Sequence, residues 1–237
     1  MSGPTGGADV LERLRGGLVV SSQVMNPESP LGEPRTLAAL AHAAVLGGAV
    51  GARVAGCDVV RAVRAVLPDL PVIGITKQRR DGYDTYITAS VAEAVSLVDA
   101  GADVVAGQAT ASSRPAEPFA EIVHAVHARG ARVMADVSSV AEAIAAVEDG
   151  ADLVATTMVG FTPTSRGASR PPVDLTQELT AALRVPVVVE GGVWTPDHVA
   201  GAFAAGAHAV VVGAAVTAPD RIVARLLTGA PASALPV

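Results

Sequence analysis

Several residue types are scarce in this chain of 237 residues, and each scarcity excludes a class of protein. A single cysteine, Cys57, excludes an internal disulfide and a zinc site built from several cysteines. Only 17% of the residues are charged and the net charge is −6, whereas a nucleic-acid-binding surface is basic and clustered. No apolar run reaches the roughly 18 residues of a membrane helix, and the N-terminus lacks the pattern of a signal peptide. We therefore expect a soluble, cytoplasmic protein that binds neither nucleic acid nor membranes.

Lysine is scarcer still, because Lys77 is the only one among 17 basic residues and the others are all arginine. A general preference for arginine would leave one lysine by chance. An ε-amine, unlike a guanidinium, can be shifted towards neutrality by burial and can then act as a base or form an imine. Lys77 follows the apolar run 72–75, where a buried strand would end. That position favours a functional interpretation.

Apolar runs alternate with helical segments along the chain. Half of the residues are apolar and only 3% are aromatic, so the core must be built from Ala, Val, Leu and Ile. The predicted strands are 18–22, 49–54, 72–75, 103–106, 132–136, 152–156, 186–190 and 209–213. The helices predicted after them are 35–47, 57–66, 90–99, 117–129, 139–149, 174–183, 196–205 and 219–227.

Eight strand-then-helix units predict an α/β fold, a (β/α)₈ TIM barrel in a single domain over residues 16–228. The strands are continuous apolar runs rather than alternating ones, as expected when both faces are covered. We expect residues 1–15 to be partly disordered with a short capping helix, and residues 229–237 to form a tail. No Gly-x-Gly-x-x-Gly follows the first strand, which argues against dinucleotide binding.

Polar side chains end most of the predicted strands, at the edge where barrel active sites lie. They are Ser22, Gln23, Arg53, Lys77, Gln108, Thr110, Asp136, Thr156, Thr157 and Glu190. One polar residue at a strand end is more often a loop anchor, but a convergent set with Lys, Arg, Asp and Glu predicts an active site. Glu190 emerges from Val187-Val188-Val189, where a carboxylate is costly to bury unless it is paired or used. Catalysis and a salt bridge to Arg53 both stay open for Glu190.

Small residues follow the seventh and eighth predicted strands, where barrels commonly bind phosphate. Gly191, Gly192, Gly213 and Ala214 would let backbone N–H groups approach an anion there. The five histidines show no ligand spacing. We therefore predict no metal and no cofactor.

Segments in order along the chain resemble the N-acylglucosamine-6-phosphate 2-epimerases, also called N-acetylmannosamine-6-phosphate 2-epimerases, over about residues 16–226. The segments are GLVVSSQ (17–23), GGAVGAR (47–53), PVIGITK (71–77), YIT (86–88), VMADVSS (133–139), ADLVATTMVGFT (151–162), PVVVEGG (186–192) and AHAVVVGAAVT (207–217). The resemblance implies a (β/α)₈ barrel that interconverts N-acetylmannosamine 6-phosphate and N-acetylglucosamine 6-phosphate. It also implies that a base at C2 falls on Lys77 and an assisting glutamate on Glu190.

Substrate contacts follow from the same resemblance. Those of the family to the sugar fall on Gln23, Arg53 and Asp136, and Lys77 keeps the family spacing to Thr88. The expected substrate-binding set at and after the strand ends is completed by Thr88, Gln108, Thr156 and Thr157.

Two arginines that the family carries near the phosphate end are missing here, where Gly192 and Ala218 stand. Charge-assisted contacts of this kind contribute about 1.5–3 kcal/mol each. We therefore expect weaker phosphate binding and a preferred substrate that differs from the 6-phosphate. Arg166, Arg170 and Arg221 are candidates to replace the missing groups.

Three functions are weighed on this basis. The leading one is an isomerase that inverts the carbon next to a carbonyl, C2 of an N-acylated amino sugar or its 6-phosphate, by lysine-mediated proton transfer. The second is a carbon–carbon lyase or synthase in which Lys77 forms a Schiff base with a carbonyl substrate. The third is a non-catalytic sugar-binding barrel. The expected partner is a small sugar or sugar phosphate, and a homodimer is left open.

Overall fold

A computed structural model describes residues 7–24, 26 and 28–231 of the chain. The expectations for residues 1–6 and for residues 232–237 lie outside these described residues. Within them, eight parallel strands close into one barrel in chain order, β1 to β8, which confirms the predicted (β/α)₈ fold.

The strands are short and lie near the predicted runs. They are β1 Leu18–Ser22, β2 Gly51–Ala55, β3 Val72–Ile75, β4 Val104–Gln108, β5 Arg132–Asp136, β6 Leu153–Ala155, β7 Val187–Glu190 and β8 Ala209–Val212. Strand β6 ends one residue before the predicted end, because Thr156 begins a 3₁₀ turn that continues to Met158. Thr156 therefore lies above the strand edge rather than within it.

Helices pack around the barrel, and the first of them packs against its interior. They are α1 Gly7–Leu14, α2 Pro34–Leu46, α3 Cys57–Val66, α4 Val91–Asp99, α5 Phe119–His127, α6 Val140–Glu148, α7 Val173–Ala182, α8 Pro196–Ala204, α9 Ala214–Thr217 and α10 Pro219–Leu227. The four-residue helix α9 was not predicted. Helix α1 contributes Leu14, which is fully buried among inward-facing strand residues such as Val19 and Ile73.

Two apolar layers explain why the strands are apolar on both faces. Val19, Ile73 and Val104 belong to the cluster inside the barrel, whereas their neighbours Val72 and Val105 pack with the surrounding helices. Successive residues of a strand point to opposite faces, so each strand serves both layers. The inner layer fills the barrel, and it includes Ile75 at the carboxyl end of β3 and Ile87 and Met158 beyond the strand ends.

A capping box fixes the loop that carries the lone lysine. Ser90 Oγ accepts a hydrogen bond of 3.3 Å from Glu93 N, and Glu93 Oε2 accepts one of 2.7 Å from Ala89 N. The same Glu93 oxygen also accepts from Thr76 Oγ1 at 2.9 Å. The start of α4 therefore holds the backbone next to Lys77.

Candidate active site

A buried arginine links two strands at the mouth of the barrel. Arg53 at β2 donates to both carboxylate oxygens of Asp136 at β5, from Nη1 to Oδ1 at 3.0 Å and from Nη2 to Oδ2 at 2.7 Å. The two side chains are 1% and 0% exposed. Two parallel charge-assisted bonds of this kind are the strong form of an Arg–carboxylate contact.

Glu190 at β7 shares the same guanidinium. Its Oε2 accepts from Arg53 Nη1, so the salt bridge that the sequence left open is present. Thr157 Oγ1 lies between the two carboxylates, 2.7 Å from Asp136 Oδ1 and 3.2 Å from Glu190 Oε2. One guanidinium thus faces two carboxylates. When both carboxylates are ionised, one negative charge is not neutralised by Arg53.

The backbone of Glu190 is fixed by the neighbouring threonine. Thr156 Oγ1 accepts from Glu190 N at 3.0 Å and donates to Glu190 O at 3.0 Å. Thr156 therefore sets the position of the Glu190 main chain, while Thr157 orients its side chain. Neither role was visible in the sequence, which placed both threonines only as substrate contacts.

Burial and neighbouring charges shift two of these groups in opposite directions. Burial, with Asp136 adding to it, raises the pKa of Glu190 above its ordinary value, although Arg53, Lys77 and the Thr157 hydrogen bond oppose the shift. Burial disfavours the Arg53 cation, but the two carboxylates outweigh this and raise the pKa of Arg53. Arg53 therefore stays charged, whereas Glu190 is more easily protonated than a free glutamate.

Lys77 follows β3 and pairs across a short antiparallel bridge with Ile87. Its side chain keeps solvent access through the open mouth. Loss of water around its amine nevertheless lowers the pKa of Lys77, and the charge of Arg53 lowers it further, with Glu190 and Asp136 opposing. The shift is that of a partly solvated amine, which makes a free base available below the ordinary lysine range.

Gln23 provides an unused acceptor at the end of β1. The residue is 8% exposed, and its Nε2 donates to Ser21 Oγ at 2.6 Å. Its buried Oε1 has no hydrogen-bond partner among the described residues. A ligand hydroxyl or N–H group can therefore donate to it without displacing a protein contact.

Two other predicted substrate contacts form hydrogen bonds with the loops at the mouth. Gln108 Oε1 accepts from Tyr86 N at 3.1 Å, and Gln108 Nε2 donates to Thr110 Oγ1 at 2.9 Å. Thr88, with φ 41°, accepts from Thr76 N at 3.1 Å through its Oγ1. Their polar groups connect the loops after β3 and β4 and so shape the wall of the mouth.

The small residues after β7 and β8 lie side by side, since Glu190 is paired with Val211 in the sheet. Gly191 and Gly192 have φ of 112° and 75°, which is the region that favours glycine. Gly213 precedes α9, where Ala214 is the first residue.

In the part of the chain that the structure describes, no group of three His, Cys, Asp or Glu residues could hold a metal ion, and no helix is long and apolar enough to cross a membrane.

Two residues near the mouth were not in the predicted site. Tyr86 is half-buried beside the inner apolar layer, and Arg79 stacks on its ring at 4.2 Å from the centroid. Arg170 lies against Gly191 and Gly192. The sequence-based prediction included Tyr86 only as part of the segment YIT, and Arg170 only as one of three candidate arginines.

Comparison with known proteins gives a consistent match. The family model described as "Putative N-acetylmannosamine-6-phosphate epimerase" matches residues 37–230. A relative from Thermosynechococcus vestitus, named "Putative N-acetylmannosamine-6-phosphate 2-epimerase", is 42% identical over 209 residues, which are 88% of this chain and 90% of the relative. A relative of the same name from Caldanaerobacter subterraneus is 38% identical over 223 residues, which are 93% of each chain.

A solved structure is similar over nearly the whole length. It is the N-acetylmannosamine-6-phosphate 2-epimerase from Clostridium perfringens, with a TM-score of 0.91 and 33% identity. The match covers 96% of this chain and 99% of that one.

Proposed function

The chain belongs to the N-acetylmannosamine-6-phosphate 2-epimerase family of isomerases, and we propose that it interconverts N-acetylmannosamine 6-phosphate and N-acetylglucosamine 6-phosphate by proton transfer at C2. The observation that carries the mechanism is the grouping of Lys77, Arg53, Asp136 and Glu190 at one end of the barrel. A base with a lowered pKa there faces fixed charges that hydrogen bonds hold in place.

Ring opening comes first, because C2 becomes acidic only when C1 is a carbonyl. Glu190 takes the proton of the anomeric hydroxyl as the C1–O5 bond breaks, and returns a proton to O5. Its raised pKa suits a group that must both accept and donate a proton. Thr156 and Thr157 hold it in position through the bonds to its backbone and its carboxylate.

Proton transfer at C2 follows. The free amine of Lys77 takes the C2 proton, the C2–H electron pair becomes the C1–C2 double bond, and the π pair of the C1 carbonyl moves onto O1 to form an enolate. Arg53, whose Nε lacks a partner among the described residues, provides positive charge that cannot be titrated away. The enolate then turns its opposite face to Lys77, and the Lys77 ammonium returns a proton to C2 as the electron pair on O1 re-forms the carbonyl. This inverts the centre, with no net gain or loss of atoms or electrons.

Substrate positioning uses groups whose hydrogen bonding is incomplete in the protein. The free Oε1 of Gln23 accepts from a substrate hydroxyl or from the N-acetyl N–H. Gln108 and Thr88 act indirectly by holding the loops after β3 and β4.

The Schiff-base lyase or synthase remains the second candidate, because a lowered lysine pKa also favours imine formation. Borohydride trapping separates the two. After incubation with the 6-phosphate and borohydride, an imine enzyme gains the mass of the reduced sugar on Lys77, whereas the proposed epimerase keeps its mass. A stable adduct on Lys77 would contradict the proton-transfer mechanism.

A further inference from the structure

Gly192 has no room for a side chain of its own. A β-carbon at this position would lie 2.5 Å from the β-carbon of Arg170 and 2.8 Å from the carbonyl carbon of Arg170. The backbone of the loop between β6 and α7 therefore occupies the place that a longer residue after Glu190-Gly191 would need. Position 192 therefore cannot carry an arginine while residue 170 keeps this backbone position.

The Arg170 side chain runs back over the glycines at the mouth. A β-carbon on Gly191 would lie 3.7 Å from Arg170 Cδ, and one on Gly160 would lie 3.6 Å from Arg170 Nε. The guanidinium carbon lies 5.0 Å from the ring centroid of Phe161, which holds the group by a cation–π contact. The side chain thus has a defined path beside the residue that follows Glu190.

Charge makes this position significant. When all are ionised, Lys77 and Arg53 cancel Asp136 and Glu190, so these four groups give a dianion no net attraction. Arg170 is exposed, and no carboxylate pairs with it among the described residues. Its charge is therefore available to a ligand anion at the ends of β7 and β8.

We infer that Arg170 is a substrate-binding and specificity-determining residue that binds the phosphate of a sugar phosphate and takes the place of the arginine missing at position 192. Its planar guanidinium presents two parallel N–H donors to phosphate oxygens. This inference rests on the proposed function, and it replaces the expectation that the preferred substrate is not the 6-phosphate. Arg166 on the same loop is exposed as well, but nothing places it beside Gly191 or Gly192.

The test compares Arg170→Gln with Arg166→Gln, a matched loss of one arginine from the same loop. Binding of N-acetylmannosamine 6-phosphate is measured by calorimetry, and turnover of the 6-phosphate and of unphosphorylated N-acetylmannosamine is measured separately. We expect Arg170→Gln to raise the dissociation constant and KM for the 6-phosphate at least tenfold, with kcat within threefold of wild type and no change for the unphosphorylated sugar. Arg166→Gln should match wild type, and Arg170→Lys should recover part of the lost affinity.

Each failure has a separate meaning because binding and turnover are read independently. Equal affinity of wild type and Arg170→Gln for the 6-phosphate would overturn the role of Arg170 and leave the proposed reaction intact. Wild-type protein that binds the 6-phosphate through Arg170 without converting it would contradict the proposed reaction alone. A wild type that does not bind the 6-phosphate would contradict both, and an equal loss for both sugars would show that Arg170 acts only on the shape of the loop.

Discussion

Arg53 and Asp136 form a bidentate ion pair across the barrel, with the closer atoms 2.7 Å apart and both side chains buried. Asp136→Asn removes one charge and leaves Arg53 with Glu190 alone. Breaking a buried pair completely costs about 3–5 kcal/mol, because it leaves an uncompensated buried charge. Since Glu190 still pairs with Arg53, we expect the free energy of unfolding in urea to fall by less than this, by about 1–3 kcal/mol, which is the cost of leaving a buried polar group without its partner.

Asp58→Asn is the control for this change, since Asp58 pairs with Arg61 on the surface and its side chain is 81% exposed. Exposed pairs contribute about 0–1 kcal/mol. Equal stability losses in Asp136→Asn and Asp58→Asn would show that the buried pair does not hold the mouth together.

Glu190→Gln tests the carboxylate with its shape retained. We expect binding of the 6-phosphate to stay within a few-fold of wild type and kcat to fall by about a hundredfold or more, as loss of a general acid–base group does. Glu178→Gln, a surface change on α7, is the control. If instead affinity is lost and the bound fraction reacts normally, Glu190 is a substrate ligand or a structural anchor.

The pH dependence follows from Lys77. The free amine is the base, so kcat/KM rises as pH increases through the pKa of Lys77. Loss of water around the amine, followed by the charge of Arg53, lowers this pKa, so the midpoint of the rising limb lies below the ordinary 10.5. Arg79 also lowers it, and Arg79→Gln should therefore move the midpoint upward. A limb at or above 10.5 in the wild type would contradict the assignment.

The contact between Gly192 and Arg170 predicts a stability difference between two glycines. Gly192 and Gly167 both have positive φ, 75° and 82°, but a β-carbon on Gly167 would meet nothing within 4 Å. Gly167→Ala thus measures the backbone strain alone, about 1–3 kcal/mol. Gly192→Ala should cost clearly more in urea unfolding, because the β-carbon also clashes with backbone. Equal costs would mean that the loop moves away freely.

Much of the barrel is predictable because its strands are buried on both faces and so appear as continuous apolar runs. The ends of the strands are harder to predict from the sequence where the change in polarity and the change in secondary structure occur at different residues. Thr156 is as buried as the strand before it, yet it already belongs to a 3₁₀ turn. Helix α9 was missed because Ala214–Thr217 continues the apolar character of β8 and is only four residues long.

The candidate active site was also predictable only in part. Lys77, Arg53, Asp136 and Glu190 stand out because each is a charged residue within an apolar run or no more than two residues after one. Their pairing is not visible, since the sharing of Arg53 between two carboxylates depends on the curvature of the closed sheet. Arg170 lies in an irregular loop and reaches Gly192 only through the tertiary fold, so the sequence could not choose it over Arg166 and Arg221.

Exchange at C2 in D₂O tests the central claim most directly. Wild-type protein with N-acetylmannosamine 6-phosphate should form N-acetylglucosamine 6-phosphate with deuterium at C2, which proton NMR detects as loss of the C2–H signal. Lys77→Arg keeps the charge but cannot release its proton in this range, so it should lose both exchange and epimerisation by more than a hundredfold with its circular dichroism spectrum and melting temperature unchanged. Lys77→Ala should regain measurable exchange when a small primary amine is added. Epimerisation without deuterium at C2, or Lys77→Arg within tenfold of the wild-type rate, would contradict proton transfer by Lys77.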